Sequence, residues 1–170
     1  DWTDRNTCVL FGDGAGAVVL RAKEGEGAKT DTGILATKIY ADGSHYDHLK
    51  TNGGVSSTQN AGVVSMDGKE VFKYAIGSLS QAAETVTAMA GYANADIDWL
   101  IRIISNVGEK LELPEEKVIV AVDHHGNTSA ASIPLAFSEN MESGKIKKGD
   151  LVVFTAMGAG FTWGGAAIRL

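Results

Sequence analysis

Short runs of β-branched residues alternate along this chain with stretches whose apolar residues return every three or four positions, and few architectures tolerate that alternation. In the longest such stretch Val71, Phe72, Ala75, Ile76, Leu79, Ala83, Val86 and Ala90 fall on one helical face. Asp67 and Glu70 give it a capping-box-like start. Strand-sized runs stand at Cys8 to Phe11, Ala17 to Leu20, Ile34 to Tyr40, Trp99 to Ile101, Val118 to Val122, Leu151 to Thr155 and Phe161 to Ile168. Asp13-Gly14 predicts a hairpin between the first two. A second helix is expected across Ile103, Ile104, Val107 and Leu111, stopped at Pro114. A third runs from Thr128 to about Met141, with Pro134 bending it or lying near its first turn. From Ala41 to Val64 the chain is polar and glycine-rich, which makes a working loop or a mobile one. The order is mixed α/β with no internal repeat.

Composition narrows the function classes. At 170 residues the chain fits one domain, residues 1–170, with a sizeable core, and a 44% apolar, 21% charged composition is globular. The net charge of −6, with acids and bases interspersed and no Lys/Arg block, argues against nucleic acid. No 18-residue apolar run is present, so no membrane partner is expected. A lone Cys8 and no signal peptide point to a reducing, cytoplasmic setting. Because the chain opens on Asp1 close to an apolar run, it is expected to begin inside a longer protein.

One junction is physically odd. The strand ending at Ile101 meets the predicted helix of Ile103 with no Gly, Pro, Asn, Asp or Ser between them. A strand-to-helix loop usually takes about 2 to 6 residues, and a helix start needs acceptors for its free N–H groups. A segment is therefore expected to be missing between Ile101 and Arg102, whether deleted or unrecorded.

Several residues carry possible chemistry. Gly12, Gly14 and Gly16 resemble a phosphate cradle, but Val18, Val19 and Leu20 continue as strand where a dinucleotide fingerprint needs a helix, so a closely packed hairpin is the better reading. Cys8, in an apolar run without an adjacent base, reads as a small buried hydrophobe. His45, His48, His124 and His125 lack a cysteine or carboxylate pattern of known spacing, and no metal site is expected. The turn Gly158-Ala159-Gly160 either holds a developing oxyanion on its N–H groups or is only a hairpin. Asn127, between a strand end and a helix, either caps the helix or points into a cleft.

The longer motifs decide more. TDRNTCVLFGDGAGAVVL at Thr3 to Leu20, MDGKEVFKYA at Met66 to Ala75, and DWLI then RIIS across Asp98 to Ser105 stand in order. DHHGNTSAASIPLAF at Asp123 to Phe137 and GAGFTWGGAAIR at Gly158 to Arg169 follow. Together they resemble β-ketoacyl-acyl-carrier-protein synthase III, the initiating condensing enzyme of bacterial fatty acid synthesis, over the second half of that family's chain. The resemblance implies a thiolase-like fold: the second αβαβα half, with a mixed sheet between helix layers. It also implies a missing N-terminal half and a homodimer.

In that family an acyl group from acyl-CoA, expected here to be acetyl-CoA, is loaded onto a cysteine, and malonyl-acyl-carrier-protein is decarboxylated to a carbanion that attacks it. The coenzyme A thioester is a substrate, and no tightly bound cofactor is implied. Asn127 matches the family's catalytic asparagine, whose N–H₂ stabilises the enolate. His125 matches a neighbouring structural histidine. The catalytic histidine's PHQAN-type stretch would fall at the Ile101–Arg102 junction, and the nucleophilic cysteine in the absent half. As written, the chain is thus expected to lack both. The resemblance assigns Ala159 to the turn facing the thioester oxygen, provided no positive φ falls on it. It assigns Arg5 and Asn6 to the adenine end of coenzyme A. Met66, Gly68 and Phe72 are assigned to the pantetheine tunnel, and Arg102, Lys73 and Lys110 to carrier-protein docking. A non-catalytic half-domain that binds coenzyme A or carrier protein, or scaffolds a partner, is the alternative.

Overall fold

The computed structural model describes residues 1–102 and 107–170. Ile103, Ile104 and Ser105, which belong to the predicted second helix and the RIIS motif, lie outside the described residues.

A five-stranded mixed sheet organises the chain. Its order is β1 (Gly33–Ala41), β7 (Thr162–Arg169), β6 (Leu151–Gly158), β4 (Trp99–Ile101) and β5 (Val118–Ile119). β4 lies parallel to β5 and β6, whereas β7 is antiparallel to both β6 and β1. A separate antiparallel ribbon pairs β2 (Leu49–Thr51), within the predicted loop, with β3 (Val64–Met66) at its end.

Helices cover both faces, because successive strand residues point to opposite sides. Leu100, Val153 and Ala167 pack with Ala75, Leu79, Ala83 and Val86 of α1 (Gly68–Met89). Their neighbours Ile101, Val152 and Ile168 pack instead with Ile133, Ala136 and Phe137 of α4 (Ser132–Glu142). Fully burying a side chain such as Leu79 or Val86 contributes about 1.5–3 kcal/mol. Alanines on the buried face let α1 approach closely: a Cβ added to Gly165 of β7 would lie 3.2 Å from the Ala82 carbonyl oxygen.

Both ends of α1 have chemical causes. Asp67 accepts a hydrogen bond from the Glu70 N–H at 3.3 Å, as the predicted cap requires. At the other end Gly91 adopts φ 81°, its N–H bonds to Ala88 O, and the Tyr92 N–H bonds to Thr87 O. That pairing is the Schellman arrangement, which gives the Thr87 and Ala88 carbonyls partners.

Three predicted elements come out differently. Residues Cys8 to Phe11 and Ala17 to Leu20 form no hairpin. Turns bonded to Asp4 O and Thr7 O occupy the first stretch, and the second has no ladder partners among the described residues. A strand needs a neighbouring edge, and this segment meets one only at the Phe11–Asn127 bridge. Val9, Val18, Val19 and Leu20 are consequently 73%, 69%, 98% and 73% exposed, and Cys8 is half-buried in a turn instead of sealed in a strand. The strand predicted to Val122 stops at Ile119, and Val122 opens a single helical turn, α3 (Val122–His125). The third helix begins as a 3₁₀ turn at Ser129–Ala131, and Pro134 lies in the first turn of α4, where its missing N–H costs nothing. Of the second helix, Val107–Lys110 is described, as α2.

Candidate active site

Asn127 is fixed by its main chain and oriented by its side chain. Its N–H donates to Leu10 O at 2.8 Å, and its carbonyl accepts from the Gly12 N–H at 3.0 Å. Its side-chain Oδ1 accepts from the Ser129 N–H at 2.9 Å. Since that partner is a donor, the atom facing it must be the oxygen, and Nδ2 is the end left over. Among the described residues Nδ2 has no hydrogen-bond partner. Ser129 reaches Oδ1 by adopting φ 57°, a left-handed conformation costing a non-glycine residue ~1–2 kcal/mol. The carboxamide therefore orients itself with one end and presents two N–H donors at the other.

Glycines make the close approach possible. Gly126 has φ 69°, and a Cβ there would lie 2.9 Å from Leu10 O. A Cβ on Gly12 would lie 2.8 Å from His125 O, one on Gly14 2.8 Å from Thr128 Cβ, and one on Gly16 2.4 Å from Pro134 Cγ. The alternating glycines form neither a phosphate cradle nor a hairpin. They make a side-chain-free strip against which the Asn127 loop and the start of α4 rest.

The other predicted residues fall at separate places. Ala159 lies in the β6–β7 turn, where the positive φ falls on Gly160 (131°) and not on alanine. That turn is anchored over the start of α1. Phe161 is buried, its carbonyl accepts from the Asp42 N–H at 2.8 Å, and its ring stands 5.9 Å from that of Tyr74. His45 packs on the same group, 3.9 Å from Tyr74 and 5.3 Å from Phe161 between ring centroids. Their grouping was missed because they are scattered singly through the loop, α1 and the β6–β7 turn. Met66, Gly68 and Phe72 share the β3–α1 corner, with Phe72 43% exposed. Arg5 and Asn6 sit in the N-terminal turn, where Asp4 Oδ1 accepts from the Asn6 N–H at 2.9 Å. Among the described residues no hydrogen bond, ion pair or ring contact ties either side chain to Asn127 or to the β3–α1 corner. A depression of about 530 Å³ lies at the far end of α1, lined by Lys23, Asp31, Leu35 and Met89 among others, and contains none of the predicted residues.

Arg102 corrects an expectation. Lys73 and Lys110 are exposed, as docking cations should be, but Arg102 is buried at 5% exposure. It directly continues β4, a strand flanked on both sides, and so emerges beneath α3 instead of at the surface. Its N–H donates to Ile119 O at 3.3 Å. With Ala121, Val122, His125, Gly126 and Ser132 it lines a cavity of about 10 Å³, the size of one water, under the Asn127 loop. Burial lowers its pKa to about 10, still charged at neutral pH.

Behind the loop, α3 is tied to α4. His124 Nε2 and His125 Nε2 lie 3.1 Å and 2.7 Å from the two oxygens of Glu139, and His124 Nδ1 lies 2.8 Å from Asp123 Oδ1. Glu139, then Asp123, raise the His124 pKa, and the histidines lower that of Glu139.

Comparison with known proteins places this geometry. Residues 87–170 match the family described as 3-oxoacyl-[acyl-carrier-protein] synthase III C terminal, and residues 1–43 the 3-oxoacyl-[acyl-carrier-protein] synthase III family. The chain is similar to the β-ketoacyl-[acyl-carrier-protein] synthases III of Rhodospirillum centenum, 54% identical over 99% of this chain and 54% of the relative, and Brucella suis, 52% identical over the same shares. Crystal structures of 3-oxoacyl-[acyl-carrier-protein] synthase III superpose on it. That from Aquifex aeolicus does so with TM-score 0.88 and 44% identity, over 100% of this chain and 53% of that one. That from Pseudomonas aeruginosa gives TM-score 0.88 and 39% identity, over 99% and 53%. The chain thus spans about half the length of the relatives it matches.

Proposed function

Because the chain belongs to the 3-oxoacyl-[acyl-carrier-protein] synthase III family, we propose that it supplies the enolate-stabilising part of an initiating condensing enzyme. That enzyme joins an acyl group, delivered as acyl-CoA, to malonyl-acyl-carrier-protein. When the malonyl C–C bond breaks and carbon dioxide leaves, the electron pair moves into the thioester carbonyl. The Nδ2–H donors of Asn127 hold the oxygen that becomes negative. The carbon end of the enolate then attacks the acyl thioester on a cysteine, a C–C bond forms, and the thiolate departs. That cysteine and a proton-handling histidine belong to parts of the whole enzyme outside this chain.

The single observation carrying this reading is the division of labour in Asn127: Oδ1 taken by the Ser129 N–H, Nδ2 left over. A pure helix cap would need only the oxygen. Ala159, with ordinary φ, leaves its N–H eligible for the same thioester. Arg5 and Asn6 are proposed at the adenine end of coenzyme A, and Met66, Gly68 and Phe72 along its arm. Lys73 and Lys110 are proposed to receive the acidic carrier protein; burial removes Arg102 from that role. Homodimerisation and a cytoplasmic setting belong to the same proposal. Among the described residues no helix is long and apolar enough to cross a membrane.

A missing segment at Ile101–Arg102 is part of the proposal too. The alignment with the Rhodospirillum relative runs over 175 positions, more than the 170 residues of this chain, so the relative carries residues that this chain lacks. The same junction is what favours the non-catalytic alternative, so intact mass separates the two: about 17.8 kDa for the isolated protein supports the alternative, and roughly twice that the enzyme.

The decisive test is Asn127→Ala in the whole enzyme. Condensation is expected to fall ~10²–10³-fold while acyl transfer from acyl-CoA to the enzyme persists. Equal losses in both half-reactions would remove the enolate role.

A further inference from the structure

Three side chains on the outer side of the Asn127 loop converge without a part in the proposed chemistry. His124 and His125 end α3, and Glu139 reaches both from α4, at 3.1 Å and 2.7 Å. The three ligating atoms lie within 4.8 Å of one another. Those separations suit a small ion, since neighbouring ligand atoms in a tetrahedral zinc shell stand roughly 3.3 Å apart. Asp123 Oδ1, 2.8 Å from His124 Nδ1, holds that ring so that Nε2 faces the cluster, as carboxylates do behind metal-bound histidines. The side chains of His124, His125 and Glu139 are 48%, 28% and 43% exposed, so an ion can enter and water can complete its shell.

We propose that His124, His125 and Glu139 form a surface site for a divalent transition-metal ion of the zinc class, with Asp123 supporting His124. Two imidazoles and one carboxylate are a borderline donor set, which selects zinc, cobalt, nickel or copper over calcium and magnesium. The sequence hid the site because its carboxylate stands fourteen positions after His125, in another helix. Occupancy ties the end of α3 to α4, the two elements on either side of the segment carrying Asn127. The site is independent of the condensing reading: it needs only α3 and α4.

The test uses the full-length protein, stripped of metal and titrated with Co²⁺. One ion is expected to bind with the intensified d–d absorption of low coordination, and Zn²⁺ to displace it. Glu139→Gln and His124→Asn are each expected to weaken binding at least ~10-fold with unchanged far-UV circular dichroism, while His48→Asn leaves it unaltered. In the unaltered protein, histidine NMR signals of His124 and His125 should respond to Co²⁺ before those of His45 and His48. Absence of binding, equal binding in the Glu139 variant, or a first response at His45 and His48 would each overturn the site.

Discussion

At Asn127 the oxygen does the positioning and the nitrogen is kept for a ligand, a separation of roles that only a carboxamide offers. An aspartate there would present a second acceptor to a developing anion, and a serine would lack reach. His124, three residues earlier, lends itself to a direct measurement. Glu139 and then Asp123 raise its pKa, so its part of the pairing is complete below the ordinary histidine value of 6.5 and is lost as pH rises through the raised one. Asp123 and Glu139 are lowered, so their part is present above the ordinary 3.8 and 4.5 and is lost as acid protonates them. The α3–α4 tie is therefore strongest between about pH 4.5 and 6.5. In metal-free buffer the His124 imidazole should titrate above 6.5 by NMR, and Glu139→Gln should bring it back toward that value. An unchanged midpoint in the variant would show that Glu139 does not hold the ring.

At the scale of elements, α1 offers a paired test. Gly91 closes the helix with φ 81°, and Gly91→Ala should destabilise by ~1–2 kcal/mol, lowering Tm by a few degrees. Gly77 lies inside the same helix with an ordinary φ and nothing within 4 Å of an added Cβ. Gly77→Ala should stabilise by ~0.5–1 kcal/mol. Thermal unfolding of both variants checks the pair, and a shared sign would mean that the cap geometry is misread. Such elements were legible in sequence because cap and periodicity are local: Asp67, Glu70 and the apolar face of α1 all lie within one helix. The strand expected to Val122 was overcalled because β-branched residues signal extension without saying where a neighbouring strand ends. β5 pairs with β4 only at Leu100–Val118 and Ile101–Ile119, and after two further residues the chain turns helical at Val122.

For the whole molecule, the segment from Val9 to Leu20 is the telling part. Its apolar residues are written for a sheet, yet among the described residues its one ladder contact is the Phe11–Asn127 bridge, and Val19 is 98% exposed. If the rest of the enzyme covers that strip, Val19→Asp should lower the Tm of the full-length protein by several degrees, because an unpaired charge would be buried. A position that stays exposed would tolerate the change within ~0.5 kcal/mol. The same distinction governs the candidate site. Asn127 and the β6–β7 turn could be named from motif text alone, whereas Arg102, assigned to a surface patch by family resemblance, is buried in the folded chain. Its burial follows from the position of β4 within the sheet, and the convergence of Glu139 on the histidines from the packing of α4 against the sheet face shared with Ile101 and Val152. Helix caps, faces and turn glycines are settled between residues a few positions apart and can be read along the chain. Which edges find partners, which charge is covered and which distant carboxylate meets two imidazoles depend on how the layers stack, so only the folded chain decides them.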